Sequence, residues 1–471
     1  MTLRLAFSLF VMITSSVQAS VDTALQQLPK GSRASLFVHS LSSGKTLLNH
    51  NSEQMIPPAS TQKLVTALAA KLLLTDNYQF KTSLQRDGSD VVINFSGDPT
   101  LTEQNLSQLL QQAKQSGLHS IKGNLWLNDS VFTGYERGVG WPWDIMGIGY
   151  SAPSSAITLN QNAVMASIYT ESNGKTRVHV PQHQSIEVNT SAISVSKSEK
   201  KSQFCDLELL TSPNNHYHLS GCLQQRSTPL PLKFAVQNTF LYSKHVVQRL
   251  LTDHNIQLEG DILQGVPTAD FQPSESPLAT HQSEPLSLLI KTMLKESNNL
   301  YADNITKTLG HIYYQQAGSF SNGTAAIKAI LLQQANIDIE LAVLADGSGL
   351  SRNNKMTAQQ LSTVLSYIYR HNSELNLLDA LPTSGVDGTL KYRASMRKAP
   401  ILNAITAKSG SLFGSYNMAG FVNTKKGEIL LFIQLIADYH PVKKLDNAPP
   451  VQSPIERFER DFYQSMINDT L

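Results

Sequence analysis

The sequence predicts an α/β (α+β) fold, an antiparallel sheet flanked by helices, with a long β-rich insertion in the middle of the chain. Three observations predict it. Strand patterns stand near both ends, at Ala34–Leu41 and Ile429–Ile436. A run that is apolar on most faces follows the first hairpin, which marks a buried helix. Between residues 76 and 265, short alternating segments and turn clusters replace helical periodicity.

Each element follows from local pattern. Ala34-Ser35-Leu36-Phe37-Val38-His39-Ser40-Leu41 is the first strand, Ser42-Ser43-Gly44-Lys45 its turn and Thr46-Leu47-Leu48-Asn49-His50 the return. Pro57-Pro58 ends the extended chain. From Ser60 onward, Leu64, Val65, Ala67, Leu68, Leu72 and Leu73 build the buried helix. In the insertion, segments such as Asp90–Phe95 and Gly123–Leu127 are separated by Ser96-Gly97-Asp98-Pro99, Asn128-Asp129-Ser130 and Ser212-Pro213-Asn214-Asn215. Residues 20–75 and 266–471 then form one discontinuous domain, and 76–265 is long enough for two subdomains. Helices resume at Pro285–Leu294, break at Ser297-Asn298-Asn299 and continue over Leu300–Tyr314, Gly323–Ala335 and Thr357–His371, with Thr357 as N-cap. Asn417–Val422 and Ile429–Ile436 fit adjacent antiparallel strands, and the first hairpin joins them in one sheet. Pro454–Ile467 is a final helix with Ile455, Phe458, Phe462 and Met466 on one face. Its charges are mixed, which favours packing on the sheet over a membrane surface, where Lys and Arg dominate.

Composition narrows the function. The 471 residues are 41% hydrophobic and 16% charged, with a net charge of +2. That is globular composition, and without an arginine-rich stripe it gives no basis for a nucleic-acid partner. Residues 1–19 read as a signal peptide: Arg4, an apolar stretch Leu5–Val17, then Val17-Gln18-Ala19 before cleavage. An uncleaved anchor is the alternative, although the stretch is short for a span. No later segment is long enough, so no transmembrane span is expected. The expected location is the periplasm, with peripheral membrane association left open. Cys205 and Cys222 suggest a disulfide in an exported chain, with two free thiols as the alternative. Such a bridge is worth about 3 kcal/mol in the chain-entropy model. Two cysteines and no Cys/His cluster give no metal site.

Three motifs carry chemistry: Ser60-Thr61-Gln62-Lys63, Ser297-Asn298-Asn299 and Lys408-Ser409-Gly410. Their order is that of active-site-serine acyl-transfer enzymes. An alcohol needs a base beside it to act as a nucleophile. Residues three apart share a helix face, so Lys63 can reach Ser60. A lysine acting as base must shed its proton, which burial and a neighbouring cation such as Lys408 promote. Backbone N–H groups at a helix start can face a developing oxyanion. Ser297 can pass a proton between Lys63 and a leaving amine. Asn299 can hold Lys63 and a substrate amide, and Lys408 can meet a substrate carboxylate. Small residues at 409 and 410 let substrate pair with the strand edge. Single motifs are weak: Ser-x-x-Lys recurs at Ser194–Lys197 and Ser198–Lys201, and Ser-x-Asn at Ser212–Asn214 and Ser351–Asn353. Their agreement is the signal, because one opens a buried helix, one lies between helices and one opens an apolar strand.

The chain resembles the serine-type D-Ala-D-Ala carboxypeptidase/endopeptidases, the low-molecular-mass class C (type-4) penicillin-binding proteins. The resemblance extends to Ser96-Gly97-Asp98-Pro99-Thr100-Leu101, Trp141-Pro142-Trp143, Tyr150-Ser151-Ala152-Pro153, Asp346-Gly347-Ser348-Gly349-Leu350-Ser351-Arg352 and Gly385-Val386-Asp387-Gly388-Thr389-Leu390. It implies a penicillin-binding/β-lactamase-like transpeptidase domain with the insertion between the first two motifs. By resemblance Ser60 is the nucleophile and Lys63 the base, with Ser297 and Asn299 completing the second motif. Lys408, Ser409 and Ser411 then receive the terminal carboxylate, and the N–H groups of Ser60 and Ser411 form the oxyanion hole. Peptidoglycan peptide stems are the implied substrate and β-lactam antibiotics the implied covalent inhibitors. No metal or organic cofactor is implied. Ser409 replaces a frequent threonine and keeps the hydroxyl. Asn160 stands where members that recognise the amino end of diaminopimelate carry an aspartate, and an amide cannot supply that charge.

Two other readings exist: a different hydrolase on this scaffold, such as a β-lactamase or D-aminopeptidase, and a non-enzymatic wall-binding protein. The intact motif set argues against the second.

Overall fold

The computed structural model describes residues 21–442 and 452–471, so the expected signal peptide at 1–19 lies outside the described residues. The chain divides into two compact units. Unit one gathers the chain up to Asp76, Ser287–Asn298 and Thr324 onward, and unit two holds Asn77–Leu286 and Asn299–Gly323.

Unit one is built on a five-stranded antiparallel sheet. Its strands are β1 (Arg33–Ser40), β2 (Thr46–His50), β3 (Ile405–Leu412), β4 (Ser415–Asn423) and β5 (Ile429–Ala437), in the order β3-β4-β5-β1-β2. The two chain ends meet at its centre, where Arg33 pairs with Ala437 and Ser40 with Leu430. β5 is buried along nearly its whole length because both faces are covered. On one face, Leu36, Val38, Met418 and Phe432 pack against Phe458, Phe462 and Met466 of the last helix. On the other lie α1 (Lys63–Leu74), with ten of its twelve residues buried, and α2 (Ala358–Arg370).

Caps set the helix starts. Thr357 accepts the Gln360 N–H, and the Gln360 side chain returns to the Thr357 N–H, both at 3.0 Å. Ser453 and Glu456 form the same box before α3 (Pro454–Ile467), and Pro454 fits the first turn. The buried helix opens differently from the sequence expectation: Ala59–Gln62 form a 3₁₀ turn, and α1 begins at Lys63.

Unit two contains a five-stranded mixed sheet in the order Ile262–Gln264, Leu125–Asn128, Asp90–Asn94, Lys81–Asp87 and Ala279–Gln282. Two helices, Glu103–Gln115 and Thr239–Asp253, bury Leu106, Leu109, Leu110, Val246, Val247 and Leu250 with this sheet's Val91, Ile93 and Leu127. The sequence reading of this stretch as mainly strand and turn omits both helices. Cys205 and Cys222 are joined by a disulfide of 2.02 Å, beside the hairpin Leu207–Thr211 and His216–Gln224. Unit two reaches past residue 265 for two physical reasons. Ala279–Gln282 completes its sheet against Lys81–Leu84. The helix Asn299–Tyr314 is pinned to it: Asn304 Nδ2 donates to the Gly97 carbonyl, and Lys307 Nζ to those of Tyr135 and Ser154, each at 2.8 Å. Among the described residues, no helix is long and apolar enough to cross a membrane.

Candidate active site

The site in unit one starts with a bend. Pro57-Pro58 cannot continue a strand ladder, and Ala59 turns the chain with φ 49° into the 3₁₀ turn carrying Ser60. In a 3₁₀ turn, side chains three apart eclipse one another. Lys63 therefore stands over Ser60, and its Nζ donates to Ser60 Oγ at 3.0 Å. Lys63 is fully buried, and its Nζ also donates to the Ser348 carbonyl at 2.6 Å. Its amine is thus aimed by acceptors that include the hydroxyl and the Ser348 carbonyl.

The loop that supplies this second acceptor is wound around Asp346. The Asp346 carboxylate accepts the N–H groups of Gly349 (2.8 Å) and Ser351 (2.7 Å) and the Asn354 amide (2.8 Å). Its successive carbonyls then face the serine-bearing segment: Gln62 donates to Asp346 O, Thr66 to Gly347 O and Lys63 to Ser348 O. Gly349 has φ 81°, and a Cβ there would stand 1.9 Å from the Ala59 carbonyl, so only glycine fits. Sequence reasoning assigned this loop no part in positioning. The signal was the dense Asp-Gly-Ser-Gly turn chemistry, but its target is not written locally.

Lys408 and Ser297 form the second pair. Ser297 sits in the left-handed region, φ 58°, where the helix Leu286–Lys295 has ended. Lys408, fully buried on β3, donates through Nζ to Ser297 Oγ and to its neighbour's carbonyl, Ser409 O, both at 2.8 Å. Burial, and secondly the charge of Lys63, hold the Lys408 amine well below the usual lysine range. Gly410 lets β3 approach the serine: a Cβ there would lie 2.9 Å from Pro58 O and 3.0 Å from Ser60 N. Ser409 Oγ shares a 2.7 Å hydrogen bond with Thr389 Oγ1, a partner the sequence did not supply, and Ser411 is exposed.

Ser60, Lys63, Ser297, Lys408, Ser409 and Ser411 thus all belong to unit one. Asn299 belongs to unit two, where its Nδ2 donates to the Tyr150 carbonyl at 2.8 Å. Asn160 is tied into unit two at both ends of its amide: Oδ1 accepts the Glu103 N–H at 3.0 Å, and Nδ2 donates to Tyr242 Oη at 3.1 Å.

A hydroxyl bonded to a buried amine, with a second buried amine on another hydroxyl, is equipped for covalent acyl transfer. The comparisons agree. Residues 17–461 match the family model described as D-Ala-D-Ala carboxypeptidase 3 (S13). The chain is 34% identical over 461 residues to the D-alanyl-D-alanine carboxypeptidase DacB of Haemophilus influenzae, covering 95% of this chain and 94% of that one. The crystal structure of penicillin binding protein 4 from Haemophilus influenzae superposes with a TM-score of 0.86 at 33% identity, over 95% of this chain and 99% of that one. The same protein complexed with a β-lactam gives a TM-score of 0.82, at the same identity and coverage.

Proposed function

The chain belongs to the D-Ala-D-Ala carboxypeptidase 3 (S13) family, and we propose that it is a serine D-Ala-D-Ala carboxypeptidase and D,D-endopeptidase of peptidoglycan that works through an acyl-enzyme on Ser60. The observation that carries the reading is the 3.0 Å bond between the buried Lys63 Nζ and Ser60 Oγ.

In this reading, Lys63 as free amine takes the Ser60 proton while Oγ attacks the carbonyl of the penultimate D-Ala. The N–H groups of Ser60 and Ser411 hold the oxyanion. Ser297 relays the proton from Lys63 to the departing amine, and Lys408 fixes the Ser297 hydroxyl. The C–N bond breaks, D-Ala or the cross-linked peptide leaves, and water then hydrolyses the Ser60 ester. β3 is the edge strand beside the serine, so an extended stem peptide adds to it as a further strand. Ser409 and Ser411 take the terminal carboxylate above Lys408. Burial disfavours the Lys408 ammonium, and a carboxylate arriving beside it favours that charged form. Asn299 keeps its place in the second motif by resemblance. β-Lactams acylate the same serine, a reading supported by the β-lactam complex of the Haemophilus relative. Work in the periplasm belongs to the same proposal and is supported by the leader pattern at residues 1–19.

The test follows products by mass after incubation with a pentapeptide and with cross-linked muropeptides. Release of D-Ala and resolution of cross-links are expected. Rapid turnover of β-lactams without peptide hydrolysis would assign a β-lactamase instead.

A further inference from the structure

We propose that unit two carries a binding cavity for a neutral, N-acetylated saccharide; the inference rests on the peptidoglycan reading, because that polymer hangs its stem peptides on a glycan of N-acetylated amino sugars. The cavity has a volume of about 710 Å³. That is the size class of small-ligand sites and has room for more than one sugar ring.

Its wall chemistry selects the ligand. Gln104, Asn160, Gln161 and Gln184 line it together with the hydroxyl residues Thr100 and Thr102. Carboxamides both donate and accept, as do sugar hydroxyls and acetamido groups. Met165, more than half exposed, and Pro181 add an apolar surface for the C–H face of a ring. Charge is nearly balanced: Glu103 is held by Arg249 at 2.8 Å, and Lys233 spends a donor on Gln161 Oε1 at 3.3 Å. A neutral ligand fits this wall better than an anionic peptide.

The polar groups are also held in place. The fully buried Tyr242 donates through its hydroxyl to Gln184 Oε1 at 2.9 Å and accepts from Asn160 Nδ2 at 3.1 Å. Asn160, Gln161 and Asn162 all lie in the left-handed region, with φ 51°, 59° and 48°. Three such non-glycine residues in succession are unfavourable and persist only where surroundings enforce them, a pattern concentrated at ligand sites. Here the fully buried Asn162 enforces it, donating to Pro153 O at 3.0 Å and accepting from Leu159 N at 3.1 Å. The cavity also uses Tyr301, two residues past Asn299 on the same helix of unit two.

The test uses the intact protein and a peptide-free probe, the β-1,4-linked tetramer of N-acetylglucosamine, by titration calorimetry. Binding in the millimolar range or tighter is expected. Cellotetraose, lacking the acetamido groups, should bind at least about tenfold more weakly. The double variant Gln104→Ala/Gln184→Ala should weaken binding at least about tenfold, and so should Met165→Glu, which removes no internal hydrogen bond. All variants should hydrolyse a soluble pentapeptide at the wild-type rate. No binding at about 10 mM tetramer, or binding indifferent to Met165→Glu, overturns the proposal. Equal affinity for cellotetraose overturns the acetamido assignment. A wild type that hydrolyses no peptide would sink the peptidase reading, and the binding result would still decide this one.

Discussion

Lys408 Nζ donates to Ser297 Oγ across 2.8 Å, joining a strand residue to a corner residue 111 positions earlier. The hydroxyl has one proton, and a buried amine fixes where its lone pairs point. If Ser297 relays the proton to the leaving group, Ser297→Ala slows acylation by on the order of 10² to 10³ while the serine still labels. The rate of covalent labelling by a fluorescent penicillin checks this; an unchanged rate would remove Ser297 from the proton path.

Ser60→Ala and Lys63→Ala separate nucleophile from base. Each is expected to lower peptide hydrolysis by about 10³-fold or more, and Ser60→Ala leaves no covalent adduct by mass spectrometry. Full labelling of either variant would refute the assigned roles. Lys63→Ala should also lower the denaturation midpoint, since it empties a buried site and removes the hydrogen bond to the Ser348 carbonyl.

Gly410→Ala places a methyl 3.0 Å from the Ser60 nitrogen, tighter than carbon normally sits, so β3 must retreat from the serine. The expected stability cost is only about 1 to 2 kcal/mol. The expected loss in kcat/KM is larger, about 10²-fold, because a small displacement of a reacting group is enough. Denaturant midpoints and steady-state rates measured side by side test the separation; equal and small effects would mean that β3 does not position substrate.

Lys307 should make unit two more stable in mild alkali. Burial pushes its pKa down from 10.5 to about 8, although Glu136 and Asp303 oppose the shift. Between these values the unfolded chain binds a proton that the folded chain does not, so stability rises with pH across that window. Below it the full cost is present, about 3 kcal/mol. Lys307→Met removes the titration along with two hydrogen bonds, so the gap between variant and wild type should shift in favour of wild type from pH 7.5 to 10.5. Parallel pH profiles of the denaturation midpoint would contradict this account.

What was legible in the chain was mostly local. The boxes at Thr357 and Ser453 write their helix starts within four residues, and the nearly continuous apolar run of β5 marks a strand covered on both faces. The three motifs were legible as chemistry because each residue type has few substitutes in its task. The 3₁₀ turn at Ser60 was not legible. It depends on Gly349 and Gly410, which pack on Ala59, Pro58 and Ser60 from hundreds of positions away. The Lys63–Ser348 bond was hidden for the same reason, with 285 positions between donor and acceptor. The helix Glu103–Gln115 was missed through its surface. Its glutamines mask the 3.6-residue spacing of Leu106, Leu109, Leu110 and Ala113, and its N-cap Thr102 is answered by Asn105 rather than the usual Glu or Gln. The resemblance set Asn160 at the place of an aspartate that meets the amino end of diaminopimelate in other members, and the local sequence could not show that its amide bonds Glu103 and Tyr242 within unit two.

The pairing of β1 with β5 has a consequence for when unit one can assemble. The strand leading toward the serine has no neighbour on that side until residues 429–437 have been made. Contacts this distant along a chain form late. A copy that stops before residue 429 therefore lacks the β1–β5 seam, and the sheet of unit one cannot assemble until those residues are in place.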